Sequence, residues 1–331
     1  MDIFINKNIW KTFDDREMKY FEECIFNHYR EKGFPYFETD KEFRLKEFKK
    51  LKNSKYNSLL KDDVVGQSMT GLALCWSYMP HAFNVPCNNL KTPLEVFNND
   101  EDFKKVIKKR IKMGDNISDN GIRKMLKIFT GTQCVSNFRP TASALIYSLY
   151  GKNKTVWDMS CGYGGRIFGA IVAGVKNYVG TEPCEATFNG IQQICDDFKP
   201  EWKDYIFKVG SERFVPAKDS LDLCFTSPPY FDTEKYSNED SQSYKKFPNY
   251  NDWLNLYLKK TFENCYYGLK NDGKLVININ DCKSAPNLVS DCKRIAESCG
   301  FVYEKELKYA LSSISHKDKY KYEPILVFYK P

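Results

Sequence analysis

The sequence predicts an α/β protein with a doubly wound, mostly parallel sheet, an antiparallel final strand and a mainly helical N-terminal region. Three observations predict it. From residue 137 onward short apolar strands alternate with helical stretches, the pattern that stacks into a parallel sheet covered by helices. A Gly-rich turn, Asp158 to Gly165, follows the first of those strands. The last two strands are joined by a polar loop with no helix between them, so they should pair antiparallel.

The elements follow in order. Thr12 is placed to cap a helix from Phe13 to Lys32, with Asp15 completing a capping box and Gly33 and Pro35 ending it. Met18, Phe21, Ile25 and Tyr29 share one face of that helix. Lys41 to Lys52 mixes basic and aromatic residues. It reads as a solvated amphipathic helix, with a phosphate-contacting arm as the alternative. A helix over Asp102–Met113 carries an apolar stripe of Phe103, Val106, Ile107 and Ile111. Lys104, Lys105, Lys108, Lys109 and Lys112 crowd the rest of it, either a nucleic-acid contact or a solvated face.

Character changes near residue 135, which suggests a helical region over 1–135 and a second domain over 136–331. In the second, strands are expected at Thr155–Asp158, Asn177–Thr181, Tyr205–Val209, Leu221–Thr226 and Lys274–Ile279, then at Phe301–Leu311 and Glu323–Tyr329. Helices are expected at Arg166–Ala173, Glu185–Phe198, Asp252–Leu269 and Pro286–Cys299. Residues 231–251 form a long polar segment, and loops of that length beside a site are usually functional.

The bulk numbers narrow the classes. A chain of 331 residues can bury a full core and form one large domain or two. A net charge of +7 permits a polyanionic partner without demanding one. No apolar run is long enough to span a bilayer and the start lacks a signal-peptide layout, so a cytosolic (cytoplasmic) location is expected. The 12 cysteines include no Cys-x-x-Cys pair. Cys24, Cys75, Cys195, Cys224 and Cys299 read as buried reduced thiols. His28, His81 and His316 have no metal spacing, and no metal is expected.

Two motifs carry chemistry. In the turn Asp158-Met159-Ser160-Cys161-Gly162-Tyr163-Gly164-Gly165, glycines let the backbone bend sharply and approach a ligand. Glu182 ends the next strand, where an acid accepts hydrogen bonds from ribose hydroxyls. The turn is neither a Gly-x-Gly-x-x-Gly nor a P-loop. The second motif, Ser227-Pro228-Pro229-Tyr230, follows the strand Leu221–Thr226. An exocyclic amine on a base is a poor nucleophile because its lone pair is delocalised into the ring. Acceptors that hold the amine let the nitrogen pyramidalise, and Ser227 Oγ with the Pro228 carbonyl can supply them. Prolines stiffen the turn, and Tyr230 offers a ring for stacking. The plain alternative is a Pro-Pro turn capping a strand.

Over about residues 137–331 the chain resembles the amino-methyltransferases that modify cytosine N4 or adenine N6 in DNA. The resemblance implies a Rossmann-like class I methyltransferase fold and S-adenosyl-L-methionine as cofactor. It implies cofactor contacts at Phe138, Pro140, Thr141, Asp158, Ser160, Gly162, Gly164, Glu182, Pro183, Ser211 and Glu212. Ser227, Pro228, Pro229 and Tyr230 match the catalytic tetrapeptide, and Phe231 extends the aromatic wall. Serine at the first tetrapeptide position favours cytosine over adenine. Ser160 stands where the family has an aromatic, and Ser211 where it has an acid, with Glu212 adjacent. Gly164-Gly165-Arg166 resembles phage and mobile-element members. DNA is the implied partner, with the base rotated out of the duplex. The first 130 residues are left to read the target, and a restriction-modification setting is part of the same expectation. RNA as substrate, and a non-catalytic nucleic-acid-binding protein on the same fold, are the alternatives.

Overall fold

In the computed structural model, residues 4–311 and 321–331 are described; His316 and the start of the chain at residues 1–3 lie outside them. The chain divides into two compact units. One holds residues 1–38 and 80–136, the other residues 39–79 and 137–331. The boundary expected at 135/136 therefore needs correction, because residues 39–79 belong with the sheet.

The reason is in their side chains. The Lys-rich helix Lys41–Lys52 docks through Phe48, which packs on Phe168 and Phe198, and through Leu51, which is fully buried. Arg44 bonds the Ser77 carbonyl at 2.9 Å and lies over the Tyr78 ring at 3.6 Å. Val64–Val65 pairs with the sheet itself. The solvated-helix reading of this basic stretch fits, since its lysines point outward from that contact.

The sheet of the larger unit contains β1 (Thr155–Asp158), β2 (Asn177–Thr181), β3 (Ile206–Phe207), β4 (Leu221–Thr226), β5 (Leu269–Asn278), β6 (Val302–Ala310) and β7 (Tyr322–Tyr329). Across the sheet the order is β3-β2-β1-β4-β5-β7-β6, extended by Val64–Val65 and Leu60–Lys61. Strands β1 to β5 run parallel to their neighbours. β7 lies between β5 and β6, antiparallel to both. This is the doubly wound class I methyltransferase arrangement with its antiparallel last strand. The chain moves outward from β1 to β3 and then returns to the other side of β1. The β1/β4 boundary is thus the switch point, the place at which open α/β sheets bind ligands beyond the carboxyl ends of their strands.

The burial of the parallel strands explains their apolar runs. Val156, Trp157, Leu223, Cys224 and Phe225 are each fully buried. β5 begins five residues earlier than expected, because its polar start is paired through Asp272 N to the Lys330 carbonyl at 2.8 Å. The helix expected over Asp252–Leu269 begins at Tyr250 and carries a π-turn at Trp253–Leu258. That turn buries Trp253, Leu254, Tyr257 and Leu258.

The smaller unit is mainly helical, with helices at Asp15–Lys32, Pro93–Asn98, Asp100–Lys112 and Asp119–Lys127. Its first helix is capped by Asp14 with Glu17 as the reciprocal partner, not by Thr12. Thr12 belongs to a short 3-10 turn, Ile9–Thr12, that precedes the helix. Ile25, Tyr29, Phe103, Val106, Ile107, Ile122 and Leu126 form its apolar core. Among the expected thiols, Cys75, Cys195 and Cys224 are buried, whereas Cys24 is exposed and Cys299 half-buried. No helix among the described residues is long and apolar enough to cross a membrane.

Candidate active site

The turn after β1 is held from beneath by a buried ion pair. Asp158 is fully buried. Its Oδ2 accepts from Arg166 Nε at 2.9 Å and from the Tyr178 hydroxyl at 2.8 Å. Its Oδ1 accepts from Ser160 N and from Thr226 Oγ1, each at 3.2 Å. Four donors saturate the carboxylate. Asp158 therefore shapes the turn and ties β1 to β2 and β4. Arg166 also bonds the Ser160 carbonyl, so one buried guanidinium fixes both ends of the bend.

Gly162 and Gly164 adopt positive φ, at 59° and 87°, in the left-handed region that glycine enters without steric cost. At Gly165 a Cβ would overlap the Phe138 carbonyl oxygen. The turn thus packs directly on the segment that starts the helix Pro140–Tyr150. Asn137 reinforces the contact by donating to the Tyr163 carbonyl at 2.8 Å. Phe138 stacks on Tyr309 at 4.8 Å, Pro140 is buried at the helix start, and Thr141 accepts from Ser68 N at 3.1 Å. All three also support the turn through packing inside the unit.

Glu182, at the end of β2, reaches back over the turn. Oε2 accepts from Gly162 N at 3.1 Å and Oε1 from Cys184 N at 3.0 Å. Burial pushes its carboxyl up to about 7, because desolvation disfavours the charged form. Ser160 Oγ stands 3.5 Å from the Tyr257 hydroxyl, which the π-turn aims at it. After β3, Ser211 Oγ pairs with Thr261 Oγ1 at 2.8 Å. Glu212 is buried and ion-paired with Lys246 at 2.8 Å.

The polar segment 231–251 is anchored to the same edge. Ser241 donates to the Pro183 carbonyl at 3.1 Å. Glu239 accepts from Glu185 N, at the start of the helix Glu185–Phe198, at 3.1 Å. With the Lys246–Glu212 pair, these contacts place the segment against the residues that follow β2 and β3.

The tetrapeptide leaves β4 at the switch point. Pro228 is buried, and Ser227 and Tyr230 are half-buried. The Tyr230 hydroxyl donates to Glu323 Oε2 at 3.1 Å and lies 3.4 Å from Asn278 Oδ1. The Ser227 side chain acts on the same phenol in the donor sense, lowering its pKa against the larger effect of burial. Phe231 has φ of 54°, an uncommon conformation for an aromatic residue. It turns the side chain inward, where it packs edge-on against Tyr250 and Trp253 at 5.3 and 6.0 Å. Phe231 therefore belongs to the core cluster around Trp253.

The basic helix, Asp100–Lys112, presents less free charge than its sequence suggests. Lys104, Lys105 and Lys108 lie 3.5–3.7 Å from Glu23, Asp102 and Glu22, and Arg110 is buried against Asp115 and the Asn116 carbonyl. Lys109 and Lys112 are exposed.

Sequence reasoning did not single out Arg166, Tyr178, Tyr257, Asn278 or Glu323 as site residues. Only Arg166 had a local signal, its place directly after the glycines. The others come from strands and helices whose patterns mark them as ordinary structure.

The strand order is that of the class I methyltransferase fold. Residues 221–331, the last third of the chain, match the family model of the N6/N4 type described as DNA methylase. The match covers the tetrapeptide and every strand after it. Among solved structures the chain is similar to a TehB-like SAM-dependent methyltransferase from Corynebacterium glutamicum, with 18% identity, 59% of this chain and 90% of that one covered, and a TM-score of 0.40. It is also similar to geranyl diphosphate C-methyltransferase from Streptomyces coelicolor, with 12% identity, coverage of 58% and 79%, and a TM-score of 0.40. TrmN from Thermus thermophilus gives 12% identity, coverage of 58% and 49%, and a TM-score of 0.40. No curated protein matches the chain.

S-adenosyl-L-methionine is the methyl donor this family implies, and the residues present fit it. The turn leaves backbone partly exposed at the positive-φ Gly162, the Glu182 carboxylate suits a ribose diol, and the Ser211-Glu212 pair suits an adenine edge. Among the described residues no cluster of His, Cys, Asp and Glu is arranged to hold a metal ion.

Proposed function

We propose that the protein methylates the exocyclic amine of a DNA base rotated out of the duplex, cytosine N4 in preference to adenine N6. The observation that carries this reading is the position of Ser227–Tyr230. The tetrapeptide leaves β4 beside the β1 turn, and Thr226, the residue before it, bonds the same Asp158 that shapes that turn. A base held by the first element and a cofactor held by the second meet at one edge.

The bound cofactor supplies an electrophilic methyl group. The chain supplies orientation. Gly162, Gly164, Glu182 and the Ser211-Glu212 pair hold the nucleoside part. Ser227 Oγ and the Pro228 carbonyl accept from the amine, turning its lone pair out of conjugation and toward the methyl. Tyr230 stacks on the base, its ring pinned by Glu323 and Asn278. Serine at position 227 is the sequence feature that favours cytosine. The smaller unit is the candidate reader of the target, with Lys109 and Lys112 as its exposed cations.

The test is nucleoside mass spectrometry on DNA from a methylation-free host expressing the protein, beside Tyr230→Ala. N4-methylcytosine in the wild type alone supports the reading in full, and N6-methyladenine changes the base. Unmodified DNA with methylated RNA bases would transfer the activity to RNA. No modified base in either polymer would leave a non-catalytic protein.

A further inference from the structure

A methylated exocyclic nitrogen must lose a proton, and the site contains a path for it. The path begins at the hydroxyl expected to hold the amine. The Ser227 side chain acts on the Tyr230 phenol in the donor sense, lowering its pKa, and the Tyr230 hydroxyl donates to Glu323 Oε2 at 3.1 Å. We propose that Ser227, Tyr230 and Glu323 form a proton relay that carries the amine proton from the base to the Glu323 carboxylate. This inference rests on the amino-methylation proposed above and deepens it.

Topology brings the acceptor there. β7 runs antiparallel to β5, so its first residues, not its last, reach the carboxyl edge of the sheet. Ile325 pairs with Asn278 at the end of β5, and Glu323 lies two residues beyond, facing the tetrapeptide. A parallel strand in that place would have delivered its C-terminal end instead. Asn278 steadies the pair from β5, its Nδ2 donating to the Pro324 carbonyl at 3.2 Å.

The donor directions agree along the whole chain. A serine that accepts from the amine has its own proton free to donate to Tyr230, and a tyrosine that accepts from serine donates onward to the carboxylate. In the transfer the nitrogen–carbon bond forms, and the carbon–sulfur bond breaks with its electron pair leaving on sulfur. The nitrogen–hydrogen bond then breaks, its pair staying on nitrogen. The proton passes to Ser227 Oγ, the serine proton to Tyr230 and the tyrosine proton to Glu323, which later releases it to water. No oxidant or further reactant enters.

The electrostatic surroundings suit an acceptor. Burial raises the Glu323 carboxyl, while its bonds to Tyr230 and Asn278 lower it, and a raised carboxylate is the better base. Burial and the nearby Glu323 charge hold the Tyr230 phenol well above its usual range, and Glu234 acts in the same sense. The phenol therefore stays protonated and relays without ionising. Tyr309 feels the Glu323 charge from β6, with Arg139 opposing it.

The test uses the full-length protein, tritiated S-adenosyl-L-methionine and DNA from a methylation-free host, with rates measured in single turnover against pH. Glu323→Gln keeps a hydrogen-bond partner for Tyr230 but cannot take a proton. Tyr230→Phe keeps the ring and breaks the wire. Each should slow transfer about 10²-fold, and the double variant should be no slower than either single one. The acid limb of the wild-type profile should vanish in Glu323→Gln and return in Glu323→Asp. Calorimetric cofactor binding should be unchanged in both single variants, which also reports that they fold. If Glu323→Gln fails that control, Tyr230→Phe and the infrared carboxylate band of Glu323 in the wild type, which should titrate with the acid limb, carry the test. Variants that bind cofactor, run within twofold of wild type and keep its acid limb would overturn the relay and leave the methylation reading intact. A wild type that binds cofactor and labels no DNA base would remove both.

Discussion

The two units bury polar groups in different ways. In the smaller one Thr92 and Arg110 close on sequence neighbours, and Asp119 on the first helix. Thr92 caps its own helix, Arg110 bonds Asp115 and Asn116, and Asp119 takes Tyr29 at 3.0 Å and Lys32 at 2.5 Å. In the larger unit Asp158, Glu182, Glu212 and Asn278 gather at the carboxyl edge of one sheet, contributed by or just after four different strands. Local closure is what a structural unit needs, because each buried group requires a partner and no more. Convergence at one edge, with two carboxyls raised by burial, is what a site needs. The proposed methyl transfer is therefore assigned to the unit of residues 39–79 and 137–331, and target recognition is proposed for the smaller one.

The strongest way to break this contrast is at the tetrapeptide. Ser227→Ala combined with Tyr230→Ala should lower single-turnover methyl transfer about 10³-fold, by analogy with removal of a preorganised polar group from other active sites. Cofactor affinity, measured by calorimetry, should hold. A loss of cofactor binding of the same size would place these residues in the cofactor site instead.

Next is the buried ion pair. Arg166→Met leaves Asp158 charged and short of a donor, which should cost about 3–5 kcal/mol and weaken cofactor binding with it. Asp119→Ala in the smaller unit should cost about 1–3 kcal/mol and leave cofactor binding alone. Chemical denaturation followed beside calorimetry separates the two. Equal losses of cofactor affinity in both variants would erase the contrast.

Glu182 gives a pH signature. Its folded carboxyl sits at about 7, above the unfolded range. The neutral form therefore stabilises the cofactor-free protein below pH ~4.5, and that contribution is lost as pH rises through about 7. Ribose hydroxyls donate to the ionised form, so cofactor affinity should move the opposite way. It should improve about tenfold per pH unit approaching 7 and level off above it. Glu182→Gln should flatten both curves. An affinity that weakens over the same interval would show that the cofactor prefers the neutral acid.

The smallest effect concerns the smaller unit. It carries 16 Lys and Arg against 14 Asp and Glu, and three of its five helix lysines are already near carboxylates. Lys109→Glu with Lys112→Glu should weaken DNA binding only a few-fold at moderate salt, with the salt slope reduced by about two. A loss of a thousandfold would make this helix the main phosphate contact.

Much of the larger unit was legible in the sequence because period and punctuation agree there. Apolar runs gave β1, β2 and β4 with their observed bounds, and glycines and prolines marked the turns that leave β1 and β4. Glu182 was legible because an acid ending a strand has no packing reason to be there. Four things were not. The docking of residues 39–79 depends on Phe48 and Val64–Val65 meeting partners more than a hundred residues away. The saturation of Asp158 depends on Tyr178 and Thr226, which look like ordinary strand residues. Glu323 reaches the site only because β7 inserts antiparallel between β5 and β6, a register that no local pattern encodes. The inward turn of Phe231 was hidden for a similar reason, since a positive φ at an aromatic residue is imposed by the core around it.

The most direct test of the account is to find which atom carries the transferred methyl. The purified full-length protein would be incubated with tritiated S-adenosyl-L-methionine and unmethylated DNA, and the digested nucleosides separated, beside Ser227→Ala. Label on an exocyclic nitrogen in the wild type, lost in the variant, is the predicted result. Label on a ring carbon, or on nitrogen at the same rate in both proteins, would contradict it.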